Sequence, residues 1–212
     1  MLSRRLREQA FLNAGLSITL SDLRSSDPEE QKKEVYHYEG GIKSFVEYIN
    51  KTRGLNPVQD EVIHISTTKE DRSAEVALCY TDSYNEILLS FANNINTIDG
   101  GTHETGFKTA LTRVFNDYGK KFNILKDSDK KLSGDDVREG LTAVVSVKLT
   151  EAQFEGQTKG KLGNTDITGL VSSMVYEKLM TYFEENPQTA KTILNKACLL
   201  YTSPSPRDKR QS

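Results

Sequence analysis

LTAVVSVKL, residues 141–149, is a mostly apolar run of nine residues, the pattern of a strand buried at the centre of a sheet. Just downstream, FEGQTKGKLGN (154–164) sets a Gln-Thr-Lys triplet between Gly156 and Gly160. A long helical pattern follows from about Thr165 to Glu184, and Asn186 and Pro187 open another helix, with Asn as a cap and Pro tolerated in the first turn. Upstream, SGDD (133–136) marks a short helix start, because Ser133 can cap and the two aspartates favour the positive helix end. From Thr105 to Tyr118, Phe107, Leu111, Val114 and Tyr118 fall on one helical stripe, with Lys108 and Arg113 off it.

Further from the central run, EVIHIST, AEVALCYTD and NEILLSFANN read as strands, with a turn at Ser83, Tyr84 and Asn85 before the last. GGIKSFVEYINK places Ile42, Phe45, Val46 and Ile49 at the spacing of an amphipathic helix. VYHYEGG and LSITLSD are strand candidates, the second with Leu16, Ile18 and Leu20 on a buried face. The charged stretch Asp22 to Glu34 between them carries Pro28 and reads as an exposed hairpin-like loop. Ser3 to Asn13 predicts a helix with Leu6, Ala10 and Phe11 on one face and Gly15 as its stop. This order of elements predicts an α+β sandwich, helices packed on a small sheet of mixed or antiparallel pairing.

Composition narrows the class. Of 212 residues, 36% are hydrophobic and 27% charged, with a formal charge of -2, which suits a globular chain and gives no global pull toward nucleic acid. Cys79 and Cys198 form no CxxC or Cys/His pattern, so neither a zinc site nor a disulfide framework is suggested and a reduced, cytoplasmic setting is expected. No apolar run approaches the roughly 18 residues of a membrane span.

Individual residues point to chemistry more weakly. The glycines around Gln157 and Lys159 let the backbone approach a ligand, Gln157 both donates and accepts, and Lys159 is a compact cation suited to a terminal phosphate. The loop is not a GxxxxGK[ST] phosphate loop, and a solvated lysine fits the same residues. In DGGTHE (99–104), His103 and Asp99 suit acid–base work, but a turn or cap explains them without a third partner. Asp135 and Asp136 are explained by helix capping without a metal.

Five stretches in order, RRLREQAFLNAGLSITLSD (4–22), YEGGIKSFVEYIN (38–50), NNINTIDGGTHETGFKTALTR (93–113), GDDVREGLTAVVSVKL (134–149) and FEGQTKGKLGN, resemble the gyrase B family of bacterial type IIA DNA topoisomerases. The resemblance runs from about Leu2 to Cys198. It implies that residues 1–20 end a GHKL-type ATPase domain and that residues 21–198 are the transducer domain. The implied fold is a two-layer sandwich with a left-handed βαβ crossover, similar to a small-subunit ribosomal protein. It also implies that Gln157 and Lys159 bind the γ-phosphate of ATP, Lys159 as the catalytic contact, and that Lys108 and Arg113 face DNA. No metal ligand is expected within the chain: Mg2+ would be held mainly by the upstream domain, together with the catalytic glutamate and the adenine-binding aspartate. The chain alone is therefore expected to be inactive.

The implied partners are DNA, the gyrase A protein and a second gyrase B protein, in an A2B2 heterotetramer that couples ATP hydrolysis to strand passage and negative supercoiling. After Cys198 the family's basic, alanine-rich helix is replaced by LLYTSPSPRDKRQS, so residues 199–212 are expected to be a disordered, non-native tail. The gyrase B counterpart in topoisomerase IV shares these motifs. Two readings of other kinds are a stand-alone RNA-binding or structural domain of the same fold, which would want an aromatic and basic stripe, and an independent phosphoryl-transfer enzyme using Lys159, which lacks a base and a metal constellation.

Overall fold

The computed structural model describes residues 2–24, 31–126 and 130–202, the last five by backbone alone. The central run forms strand β7 (Leu141–Lys148), and it lies in the middle of a five-stranded sheet of order β3-β4-β7-β5-β6. The other strands are β3 (Ile63–Lys69), β4 (Arg72–Tyr80), β5 (Ile87–Ala92) and β6 (Ile95–Asn96). On one side β7 pairs antiparallel with β4, Val144 opposite Ala77; on the other it pairs parallel with β5, Val144 opposite Leu89. The sheet is therefore mixed. The turn at 83–85 joins strands that flank β7 instead of each other, so β4 and β5 make no hairpin.

Alternation along β7 divides the interior. Ala143, Val145 and Val147 join a core with Val76, Leu78 and Tyr80 of β4 and the helices α3 (Thr102–Lys121), α5 (Thr165–Glu185) and α6 (Pro187–Thr202). The expected stripe of α3, Phe107, Leu111, Val114 and Tyr118, is fully buried there, and the Tyr118 hydroxyl donates to Phe183 O of α5 at 3.0 Å. Helix α3 and the short helix α4 (Gly134–Arg138) make the crossover between the parallel strands β5 and β7. Ser133 caps α4 as expected: its hydroxyl accepts from Asp136 N at 3.2 Å, and Asp136 accepts from Ser133 N at 2.8 Å.

Val144 points the other way, into a second core with Ala77, Cys79 and Phe91 of the sheet and Ile42, Phe45, Val46 and Ile49 of α2 (Gly41–Arg53). Helix α1 (Leu2–Leu12) completes that core through Phe11, which stacks on Phe45 with ring centroids 4.7 Å apart and on Tyr38 at 3.7 Å. Helices thus cover both faces, and the expected two layers are three. The cause lies in β7 itself: with apolar residues on both faces, neither can be left to water.

The hairpin of β1 (Ser17–Asp22) and β2 (Lys32–His37) pairs Ser17 with His37 and Asp22 with Lys32, so the expected loop is shorter than Asp22 to Glu34. Ile18 and Leu20 are half-buried and Leu16 is exposed. The Asn186 side chain donates to Tyr182 O at 2.9 Å, back onto the end of α5, instead of capping α6. Residues 199–202 continue α6, so the segment expected to be a tail starts inside a helix; 203–212 lie outside the described residues. Among the described residues no helix is long and apolar enough to cross a membrane.

Candidate functional site

Between β7 and α5 the chain makes a small hairpin, β8 (Phe154–Glu155) with β9 (Lys161–Leu162), and the Gln-Thr-Lys triplet forms its tip. Gln157, Thr158 and Lys159 are exposed. Gly156 takes φ +80°, as a left-handed turn position favours, but Lys159 itself stands at φ +53°. Such a backbone at a side-chain-bearing residue costs on the order of 1 kcal/mol. The Lys159 ammonium lies 5.9 Å from the centre of the Phe154 ring, within reach of a cation–π contact.

The base of the hairpin is held firmly. Leu162 is fully buried and its N–H donates to Gly100 O at 3.2 Å, while Asp99 N–H donates to Gly160 O at 2.9 Å. Gly101, at φ +142°, bridges to Leu162; a Cβ there would lie 2.6 Å from both Leu162 N and O, so only glycine permits the approach. The paired glycines of DGGTHE therefore seat the Gln-Thr-Lys hairpin on the start of α3.

His103 does no exposed acid–base work. Its ring is completely buried, with Nε2 3.1 Å from Thr97 Oγ1, and burial pulls its pKa down to about 4 against the opposing pull of Glu104, so it is neutral at pH 7. Asp99 is exposed and contributes its backbone to the hairpin seat.

The opposite stripe of α3 forms a surface groove of about 510 Å3, where Lys108, Arg113 and Lys120 are joined by Lys131 and by Arg138 of α4. Lys108 is half-buried, 2.7 Å from Glu104 and 3.9 Å from Glu86. Arg113 lies 3.4 Å from Asp117 and 4.4 Å from the centre of the Tyr176 ring, whose hydroxyl also reaches Asp117 at 3.0 Å. The structure brings Lys108 and Arg113 to one concave surface and Gln157 and Lys159 to one turn. Sequence reasoning missed Lys131 and Arg138 there; the polar series Thr109, Thr112, Arg113, Asn116, Asp117 and Lys120, at helical spacing, was the signal for the groove. Among the described residues no group of three or more His, Cys, Asp or Glu side chains is placed to hold a metal ion.

A mixed sheet flanked by helices on both faces defines an α/β module of the kind contained in a solved gyrase B ATPase fragment. The 43K ATPase domain of Thermus thermophilus gyrase B, solved in complex with an aminocoumarin, superposes with a TM-score of 0.83 at 38% identity, covering 99% of this chain and 54% of that one. The family model for DNA gyrase B matches residues 41–211, and the chain belongs to the DNA gyrase B family. It is 58% identical over 197 residues to the DNA gyrase B protein of Clostridium acetobutylicum, covering 92% of this chain and 30% of that protein. It is 51% identical over 203 residues to the corresponding DNA topoisomerase 4 protein of Staphylococcus epidermidis, covering 93% of this chain and 29% of that protein. The chain thus spans just under a third of these curated relatives.

Proposed function

We propose that this chain is the coupling unit of the ATP-hydrolysing subunit in a bacterial type II topoisomerase of the gyrase kind, which turns the presence of a γ-phosphate into movement of a DNA-enclosing clamp. One observation carries this reading: Lys159 is exposed, in a left-handed backbone, at the tip of a hairpin seated on the start of the helix whose groove holds Lys108 and Arg113. A compact cation at such a tip gains most when a terminal phosphate is present and loses that gain on its release. Gln157 adds a neutral hydrogen bond to the same phosphate. ATP and Mg2+ would be bound mainly by a preceding GHKL-type domain that residues 1–20 close, with residues 21–198 as the transducer. That boundary is one of role and not of packing, since Phe11 shares a core with α2.

The crossover through α3 we read as left-handed, in keeping with the transducer fold. In the intact enzyme the groove of α3 would face DNA, two such subunits would close the clamp, and the gyrase A protein would complete an A2B2 assembly in the cytoplasm, introducing negative supercoils. The gyrase B counterpart in topoisomerase IV is the alternative, and the likeness to the Staphylococcus epidermidis protein supports it. On either reading the chain alone does not hydrolyse ATP, because a lysine cannot by itself activate water.

The test is Lys159→Ala in this chain joined to its ATPase domain. We expect kcat to fall by at least about 100-fold, as for loss of a preorganised charge, with ADP affinity little changed. Gln157→Ala should follow the same pattern more mildly. Near wild-type hydrolysis still coupled to strand passage would make the triplet an ordinary solvated turn.

A further inference from the structure

Thr97 stands in the loop between β6 and α3, almost fully buried, one residue from Ile98 and two from the Asp99 amide that holds Gly160. Its hydroxyl oxygen lies 3.1 Å from His103 Nε2 and 2.7 Å from Ser90 Oγ. Ser90, equally buried on β5, places that oxygen 3.1 Å from Glu104 Oε2, and the other carboxylate oxygen, Oε1, is 2.7 Å from Lys108 Nζ. Donor counting gives the contacts a direction. A carboxylate only accepts, and its charge makes it a stronger acceptor than the Thr97 carbonyl at the same 3.1 Å, so Ser90 gives its one proton to Glu104. Thr97 then donates to Ser90, whose Oγ at 2.7 Å and carbonyl oxygen at 2.9 Å both face it, and the His103 Nε2 proton goes to Thr97. That tautomer leaves His103 Nδ1 without a proton, and among the described residues no group hydrogen-bonds to it.

We propose that Thr97 is a positioning residue that links the seat of the 156–160 turn to the ammonium group of Lys108, through the chain His103 to Thr97 to Ser90 to Glu104 to Lys108. At one end the loop carrying Thr97 holds the hairpin by its backbone: Gly100 N–H donates to Thr97 O at 2.9 Å, and Gly100 O accepts from Leu162. At the other end Glu104 divides its two oxygens between the Ser90 hydroxyl and the groove cation. A shift of the hairpin therefore reaches the groove as a change in how tightly Glu104 holds Lys108, each hydroxyl passing on the one hydrogen bond it has to give. The meaning of this link for catalysis rests on the roles proposed above for Lys159 and Lys108; its existence does not.

The experiment uses this chain without nucleotide or DNA, so its outcome is independent of whether Lys159 binds phosphate. Hydrogen exchange of the Asp99 and Leu162 amides reads the hairpin seat, and the Lys108 Cε–Hε resonance in lysine-labelled protein reads the groove. Thr97→Val should speed exchange of both amides by about 10-fold, the equivalent of one lost buried hydrogen bond, and shift the Lys108 signal. Thr97→Ser, which keeps the hydroxyl, should restore both, an outcome that packing alone would not give. Glu104→Gln should speed the same amides in the wild-type background and have no further effect once Thr97 is Val. Ser90→Ala cuts the same chain at its next link and serves if Thr97→Val does not fold. An equal effect of Glu104→Gln in both backgrounds, or a Lys108 signal unmoved by Thr97→Val and Ser90→Ala, overturns the proposal.

Discussion

Gly101→Ala should unseat the Gln-Thr-Lys hairpin while leaving the sheet intact. At φ +142° and ψ -168° the position belongs to a region that only glycine enters comfortably, and alanine there is strained by about 1–3 kcal/mol. The new Cβ would also meet Leu162 N and O at 2.6 Å and its Cβ at 2.9 Å, backbone and stem atoms that cannot swing aside. The loss has a ceiling, because the hairpin can detach. Detachment gives up the Leu162-to-Gly100 and Asp99-to-Gly160 hydrogen bonds, about 1 kcal/mol each, and the burial of the Leu162 side chain, about 2 kcal/mol. The expected cost is therefore about 2–4 kcal/mol. For a domain of this size that lowers Tm by roughly 4–16 °C. Hydrogen exchange should show the Asp99 and Leu162 amides at least about 30-fold less protected, with β7 amides changed only as far as global stability falls. A Tm within 1 °C of wild type, with both amides still protected, would refute the steric reason for two glycines before α3.

Gly169, in α5, is exposed with nothing among the described residues within 4 Å of its would-be Cβ, so Gly169→Ala should stabilise the chain by about 0.5–1 kcal/mol, visible as a small rise in Tm. His103 is held neutral with a pKa near 4, whereas the unfolded chain takes up a proton near 6.5; its share of stability is whole above about pH 6.5 and is lost as pH falls toward 4. Urea melts across that window should show a slope of up to about 1.4 kcal/mol per pH unit that His103→Asn removes. In the domain-restored protein, neutralising Lys108 and Arg113 together should lower the DNA-stimulated part of ATP hydrolysis. It should also reduce the salt slope of DNA binding by about one unit per lost phosphate contact, and an unchanged slope would take both residues out of the interface.

Spacing made much of this legible. The run at 141–149 announced a central strand, the stripe of α3 its buried face, and Ser133 with Asp136 a capping box, because each signal lies within one element. What spacing does not carry is the partner across space. The parallel pairing of β5 with β7, and the covering of the second face by α1 and α2, follow from how distant segments share a sheet. Phe11 and Phe45 each had the right pattern, yet nothing local says that they stack on one another. At the site, the triplet's exposure and its flanking glycines were readable. The left-handed backbone of Lys159 itself was not, since lysine is no residue from which a positive φ is expected. The Thr97, Ser90, His103 and Glu104 cluster was hidden for another reason: small hydroxyl residues become informative only once burial shows that their protons must all be placed.

The position of β7 has a consequence for synthesis. The strand at the middle of the sheet is the last of its five to leave the ribosome, so β4 and β5 wait with facing inner edges unpaired until residues 141–148 arrive between them. Closing the sheet means bringing β7 back over some sixty residues to pair with β4, a non-local step that slows folding and leaves two apolar strand edges open to other chains meanwhile. A chain interrupted before Leu141 would keep both edges, and its natural fate is aggregation rather than a smaller folded domain.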